Sequence, residues 1–274
     1  MNRQRAISAF LLAALVWIPC SAQDARTTTA PAKIPLAHKK REDLKLKHDS
    51  FTFVRIKYAG PAAGRRRGRG TWATDYPDSD IAISARLQKE TGLKTDPKGV
   101  VLDLTDPKLK EYPLAYLVEG GSLQLSQAEA KALRAYLEGG GFLMFDDFWG
   151  EAEWINLEAE IRKAFPEHKI IELPLEHAVF HSFYEIREKP QVPSIALALT
   201  RRNEGITWER EDGKHPHYRG LVDVQGRLMA IFCHNTDLGD GWEREGRDEF
   251  YTQEFSLKRS FPMGINIIVF ALSQ

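Results

Sequence analysis

GGGFLMFDDFWG, residues 139–150, places three glycines ahead of an unbroken apolar run, Phe142 to Phe145. The run ends in two adjacent acids, Asp146 and Asp147, followed at once by Phe148, Trp149 and Gly150. A strand that is apolar at every position, rather than at every second one, is buried on both faces, and such strands belong to parallel sheets covered by helices. The flanks agree. Ser126 and Glu129 form a capping box that opens a helix over 127–137, closed by Gly139 and Gly140. A second helical pattern covers 151–164 and stops before Pro166. Helix, buried strand and helix in succession are the repeating unit of an α/β sheet.

Working outward, FTFVRIKY (51–58), GVVLDLTD (99–106) and PLAYLVEGG (113–121) read as further strands. Pro77 excludes a helix through Tyr76, and Asp78, Ser79 or Asp80 is placed to cap one running to about Thr91, before Gly92. HKIIELPL, HSFYEI and SIALALTR (194–201) read as shorter strands, and GLVDVQGRLMAIFCHN as a β-hairpin turning at Gln225-Gly226. GINIIVFALS reads as a buried helix. The expectation is a mostly parallel sheet with helices on both faces, plus a β-hairpin near the C-terminus. In such sheets binding sites gather beyond the carboxyl ends of the strands, where Asp103, Glu119, Asp146 and Asp147 all fall.

The order FTFVRIKY, WATDYPDSD, LRAYLEGGGFLMFDDFWG, EHAVFH, DLGDGWE and MGINIIVFAL resembles the bacterial family catalogued as domain of unknown function 4159. The resemblance runs from about Phe51 to the C-terminus. It implies a class I glutamine-amidotransferase-like fold, a flavodoxin-like three-layer sandwich, and brings no established activity. Amidotransferases follow the comparable strand with a sharp Gly-X-Cys-X-Gly turn that presents a thiol. Here the chain reads Phe145-Asp146-Asp147-Phe148, so thiolate chemistry is absent at that place. Cys233, inside MAIFCHN, reads as a packed, inert thiol.

The N-terminus carries Arg3 and Arg5, an apolar run from Ile7 to Ile18 and the small-residue stretch PCSAQD, the pattern of a signal peptide over residues 1–22. Residues 23–50 read as a polar linker and 51–274 as a single α/β domain. An exported protein, periplasmic or secreted, is expected, with no membrane span after the leader is removed. Acids and bases balance at 38 each, and loss of the two leader arginines leaves a slight acidic excess, which offers nucleic acid nothing. With Cys20 in the leader, no intramolecular disulfide can form. The arginines of the 65–69 loop read as solvated, with contact to a phosphate, sulfate or carboxylate as the competing reading.

The candidate chemistry is carboxylate chemistry. Asp146 and Asp147 could act as general base or hold a divalent cation, while the competing reading has one Asp cap the following helix and brace the turn. Asp75, within DYPDSD, lacks the spacing of a calcium loop and reads as a cap residue with metal binding as the alternative, while DLGDGWE (237–243) reads as a β-turn loop with a calcium-type site as the competing reading. His177 and His181 stand four apart, about 13 Å on an extended chain, too far to share a metal. The resemblance matches His177 to a histidine of trehalose-utilisation-type relatives, with Ala178 where those have proline; His177 is read as an acid or base near the Asp pair, with a hydrogen bond to a loop carbonyl as the competing reading. Trp72, Tyr76, Phe148 and Trp149 near the acids suggest a stacking surface for carbohydrate, with core packing as the competing explanation. Two functions remain open: a noncatalytic domain binding a cell-envelope protein or carbohydrate, and a hydrolase using Asp146 or Asp147 with His177, assisted by a divalent cation.

Overall fold

The computed structural model describes residues 31–33, 50–59 and 71–274. The expected leader over residues 1–22, most of the 23–50 segment and the arginines of the 65–69 loop lie outside the described residues. Seven strands form one sheet: β1 (Val54–Lys57), β2 (Val100–Asp103), β3 (Leu114–Val118), β4 (Phe142–Phe148), β5 (Ile170–Glu172), β6 (His217–Val222) and β7 (Leu228–His234). Their spatial order is β2-β1-β3-β4-β7-β6-β5. The first five run parallel, and β6 and β5 extend the sheet antiparallel at one side. The chain is therefore an α/β protein with a mostly parallel sheet.

The opening stretch is the centre of this arrangement. All seven side chains of β4 are buried, with β3 on one side and β7 on the other. Side chains alternate between two apolar clusters, as a pleated strand requires. Leu114, Tyr116 and Val118 face α1 (Asp78–Thr91), α5 (Leu238–Glu243) and α7 (Phe261–Ala271). Ala115 and Leu117 face α2 (Gln127–Glu138) and α3 (Gly150–Ala164). Each buried Leu, Ile or Phe on these faces contributes roughly 2 kcal/mol of transfer free energy. The capping box forms as the spacing requires, Ser126 Oγ accepting from Glu129 N while the Glu129 carboxylate accepts from Ser126 N. Among the described residues no helix is long and apolar enough to cross a membrane.

Four local expectations change. SIALALTR is helix, α4 (Ile195–Thr200), because its first N–H groups find carboxylates: Ser194 N donates to Glu209 and Ile195 N to Asp240. HSFYEI is a turn and coil, its backbone held by buried Asn266, which accepts from Phe183 N and Tyr184 N and donates to Tyr184 O. Tyr184 itself bridges to Lys33. DLGDGWE is the short helix α5 rather than a loop. Finally, Asp78, Ser79 and Asp80 do not cap α1, whose N-cap is Pro77 without a side-chain bond. Ser79 and Asp80 instead face Arg55.

One irregularity shapes the last third of the chain. Between α6 (Glu249–Tyr251) and α7 lies a nine-residue π-helical segment, Thr252–Ser260. The wider turn lets Ser260 sit against Gly241 and donate to Leu238 O, pinning α5 over the sheet.

Candidate functional site

Four parallel strands end on the same side of the sheet, and each delivers acid there. The chain beyond β1 carries Asp75, β3 is followed by Glu119, β4 ends in Asp146 and Asp147, and β7 leads through Asn235 to Asp237 and α5. Asp75, Glu119, Asp147 and Asn235 all occupy left-handed backbone, with φ of 60°, 57°, 52° and 61°. Such conformations cost of order 1 kcal/mol in a residue bearing a Cβ, and they cluster where a side chain must be aimed.

Arg55 holds the first of these loops. It is fully buried in β1, and its Nε and Nη2 donate to Asp80. Nη1 donates to Trp72 O and Thr74 O, Nη2 also reaches Ser79 Oγ, and the guanidinium lies 4.9 Å above the Tyr116 ring. Every donor of the fork is used, so the chain entering Asp75 is tied to both β1 and α1.

Asp146 is a helix cap, though not of the helix that follows it. Its carboxylate accepts from Leu238 N (3.3 Å) and Gly239 N (3.0 Å), the opening of α5, and from Tyr116 Oη (3.0 Å). The start of α3 is served from elsewhere: Glu151 N donates to Asp212, Gly150 N to Asn235 Oδ1 and Trp149 N to Glu153. Gly150 suits its left-handed backbone (φ 77°), and a Cβ there would also push the Asp212 carboxylate aside. Asp147 accepts from Trp149 Nε1 at 3.1 Å and otherwise faces other acids. Burial raises Asp146 to about 7 despite its three donors. Burial, then Glu119 and Asp75, push Asp147 well above the ordinary range.

The remaining acids follow suit. Burial, then Glu153, raises Glu119 to about 7. Burial, then Asp240 and Glu243, raises Asp75 to about 8, Arg55 acting only as a partial counterweight. Burial and Asp147 raise Asp237 strongly, although its carboxylate caps α5 by accepting from Asp240 N. Asp75, Asp240 and Glu243 each present one oxygen within 4.8 Å of the others, a spacing that suits one hard cation. Asp75 Oδ2 is enclosed and has no hydrogen-bond partner. A Cβ on Gly239 would stand 2.7 Å from that oxygen, so only glycine leaves it room. Asp240 is held in place by Ile195 N (2.7 Å) and Tyr251 Oη (2.9 Å).

Of the residues singled out from sequence, Asp75, Glu119, Asp146 and Asp147 come together. His177 does not join them. It caps a short turn by accepting from Val179 N and packs 5.4 Å from the Phe270 ring, which in turn contacts Phe142 at the amino end of β4. Asp146 stands four residues further along the same strand, about 13 Å away. His181 faces Leu175 O and Glu185. Phe148 and Trp149 are core: Phe148 stacks 4.9 Å from His234, and Trp149 braces Asp147. Trp72 and Tyr76 pack together 5.9 Å apart, with Tyr76 exposed. Cys233 is buried, which pushes its thiol well up and leaves no nucleophile there.

Arg55, Tyr116, Asn235 and Tyr251 were not singled out from sequence. Arg55 had a signal, a charge in the middle of an otherwise apolar strand, which demands a partner.

Fold and site together define an α/β protein with a cluster of largely buried acids at the carboxyl edge of its parallel strands. The family model described as Domain of unknown function (DUF4159) matches residues 52–272, and the chain belongs to that family. A search of curated proteins returned no match.

Proposed function

We propose that this chain is an exported, noncatalytic binding domain whose acidic cluster takes a divalent cation at Asp75, Asp240 and Glu243. The observation that carries the reading is the enclosed, unpartnered Oδ2 of Asp75, within reach of two further carboxylates. Acids crowded out of water must either share protons or gain a counter-charge, and a hard cation with oxygen ligands supplies it. Export rests on the leader pattern of residues 1–22. A glutamine-amidotransferase-like, flavodoxin-like fold is supported by the parallel order β2-β1-β3-β4-β7, which is the flavodoxin order, with acids lying at its switch point beside β1 and β3. The absence of a thiol at the β4 turn supports the noncatalytic reading, and hydrolysis by the Asp pair with His177 gains no support from His177, which packs against Phe270 beside the amino end of β4. A cell-envelope protein or carbohydrate would then engage this edge through the cation, with Trp72 and the exposed Tyr76 on the same loop as Asp75.

The test is calorimetric titration of Ca²⁺, Mg²⁺ and Mn²⁺ into the protein and into Asp75→Asn. One equivalent should bind the parent with release of protons, and the variant should bind at least tenfold more weakly. At a hundredfold excess over Kd the cation should stabilise the fold by about 2.7 kcal/mol. Absence of heat and of any thermal shift with all three ions at millimolar concentration would overturn the reading.

A further inference from the structure

Where α2 packs beside α3, small side chains leave a groove of about 540 Å³ lined by residues of both helices. Its floor is apolar, formed by Leu125, Ala130 and Ala164, each almost fully buried. Its rim is cationic, with Lys131 and Arg134 from α2 and Lys163 from α3. Among the described residues no acid lines it, and none of its residues belongs to the acid cluster at the carboxyl edge. The volume lies in the range that holds a small organic molecule. We infer that this groove binds a small amphiphilic anion, a carboxylate or phosphate monoester carried on a short alkyl chain.

Helical spacing builds both parts of the groove. Ala130 opens the buried face that Leu133 and Leu137 continue, and its short side chain leaves the depth that a leucine would fill. Lys131 and Arg134, three residues apart, share the neighbouring face. Two of the three cations are already held in place. Arg134 donates to Ala164 O at 2.9 Å, at the end of α3, and pairs with Glu138 and Glu167. Lys163 pairs with Glu160 and reaches Leu125 O at 3.4 Å. Lys131 has no ion pair or hydrogen bond among the described residues, so its ammonium is uncommitted. The nearby carboxylates offer an anion little opposition. Glu160 is buried and taken up by Leu125 N and Lys163, and Glu129 is turned back onto Ser126. Glu138 and Glu167 are nearly half exposed, where water and salt screen them. The aliphatic stems of the three cations extend the apolar walls while their charged heads reach toward water. A ligand that matches has an apolar body below and a negative charge above.

The inference stands apart from the cation reading above. Octanoate and octyl phosphate are titrated calorimetrically into the full chain, Lys131→Glu and Ala130→Leu, with octanol, octylammonium, acetate and inorganic phosphate as comparisons. The parent should bind one equivalent of an octyl anion with Kd at or below about 1 mM. Whichever octyl anion binds more tightly identifies the headgroup, and either result supports the groove. The neutral, cationic and tail-less compounds should each bind at least tenfold more weakly. Lys131→Glu should weaken the octyl anion by about tenfold, since it removes a partly exposed ion pair and adds a repulsion. Ala130→Leu fills the floor and should bind neither octyl anion. Lys131 is exposed and unpaired, so Lys131→Glu keeps the parent's thermal midpoint and decides the matter even where Ala130→Leu fails to fold. Octanol binding as tightly as octanoate, or acetate and inorganic phosphate binding as tightly as the octyl anions, would overturn the proposal. So would an unchanged Kd in Lys131→Glu, or no binding of either octyl anion to the parent at millimolar concentration.

Discussion

Asp146 and Asp147 are neighbours in sequence and opposites in energetics. Asp146 satisfies three buried donors, Tyr116 Oη and the N–H groups of Leu238 and Gly239. Removing it strands them, and each unpaired buried donor costs about 1 kcal/mol or more. Asp146→Ala should therefore lose about 3 kcal/mol, read as a lowered urea midpoint. Asp147 accepts one indole bond and is crowded by Glu119, Asp75 and Asp146, so its charge is a burden. Asparagine keeps the acceptor for Trp149, removes the charge and tolerates the left-handed backbone. Asp147→Asn should be stabilising by about 1 kcal/mol at mildly alkaline pH. A loss of stability in Asp147→Asn comparable to that of Asp146→Ala would show that the two acids share one structural role.

At the level of elements, α1, β1 and the Asp75 loop are joined through one side chain. Lysine at position 55 could reach Asp80 but could not also serve Ser79 and the carbonyls of Trp72 and Thr74. Arg55→Lys should cost about 3 kcal/mol, since it leaves buried groups unpaired around a charge. The same substitution should weaken cation binding, because Asp75 loses the anchor that aims it. Hydrogen exchange localised to residues 71–80 would report the loosened joint, and protection there equal to the parent would contradict it. The short helix α5 is an element of the same kind. Its six residues are too few to persist alone, and it exists because Asp146 and Asp237 cap its start while the π-helical segment presses on it through Ser260. The loop expected for DLGDGWE was a fair local reading, and partners contributed from distant parts of the chain replaced it with a helix.

For the whole molecule, the buried acids set the pH dependence. Asp75 at about 8 and Glu119 and Asp146 at about 7 hold protons in the folded state that the unfolded chain releases near 4. Their contribution is complete below about pH 4 and is lost as pH rises through 7 to 8. His234 works the other way. Burial lowers it to about 4, so its contribution is present above the ordinary histidine value and is lost as pH falls toward 4. Glu172, lowered to about 2 by His217 and Lys189 against the opposing effect of burial, likewise favours the fold above about 4 and loses that contribution on further acidification. His234 and Glu172 have regained their contributions by about pH 6, above which only the three raised acids act, so without divalent cation the thermal midpoint should peak near pH 5 to 6 and fall toward pH 9. Calorimetry across that range tests this, and a midpoint that climbs between about pH 6 and 9 would refute it. Asp75→Asn should flatten the fall between about pH 7 and 9, as should saturating Ca²⁺.

The local pattern alone determined that this chain builds a mostly parallel α/β sheet with β4 at its heart. A run apolar at every position can be satisfied only by burial on both faces, and the capping box and glycines beside it mark where the helices begin and end. It also determined that Glu119, Asp146 and Asp147 stand at the carboxyl edge, since strand direction follows from chain order. Tertiary structure decided the rest. Which N–H groups Asp146 caps depends on α5, some ninety residues further on. Whether SIALALTR is strand or helix depends on carboxylates from Glu209 and Asp240. That Asp75, Asp240 and Glu243 meet depends on Arg55 and on the π-helical segment. The division has a physical cause: periodicity and capping are fixed by neighbours within a few residues, whereas a buried charge finds its partner only when separate elements close over it.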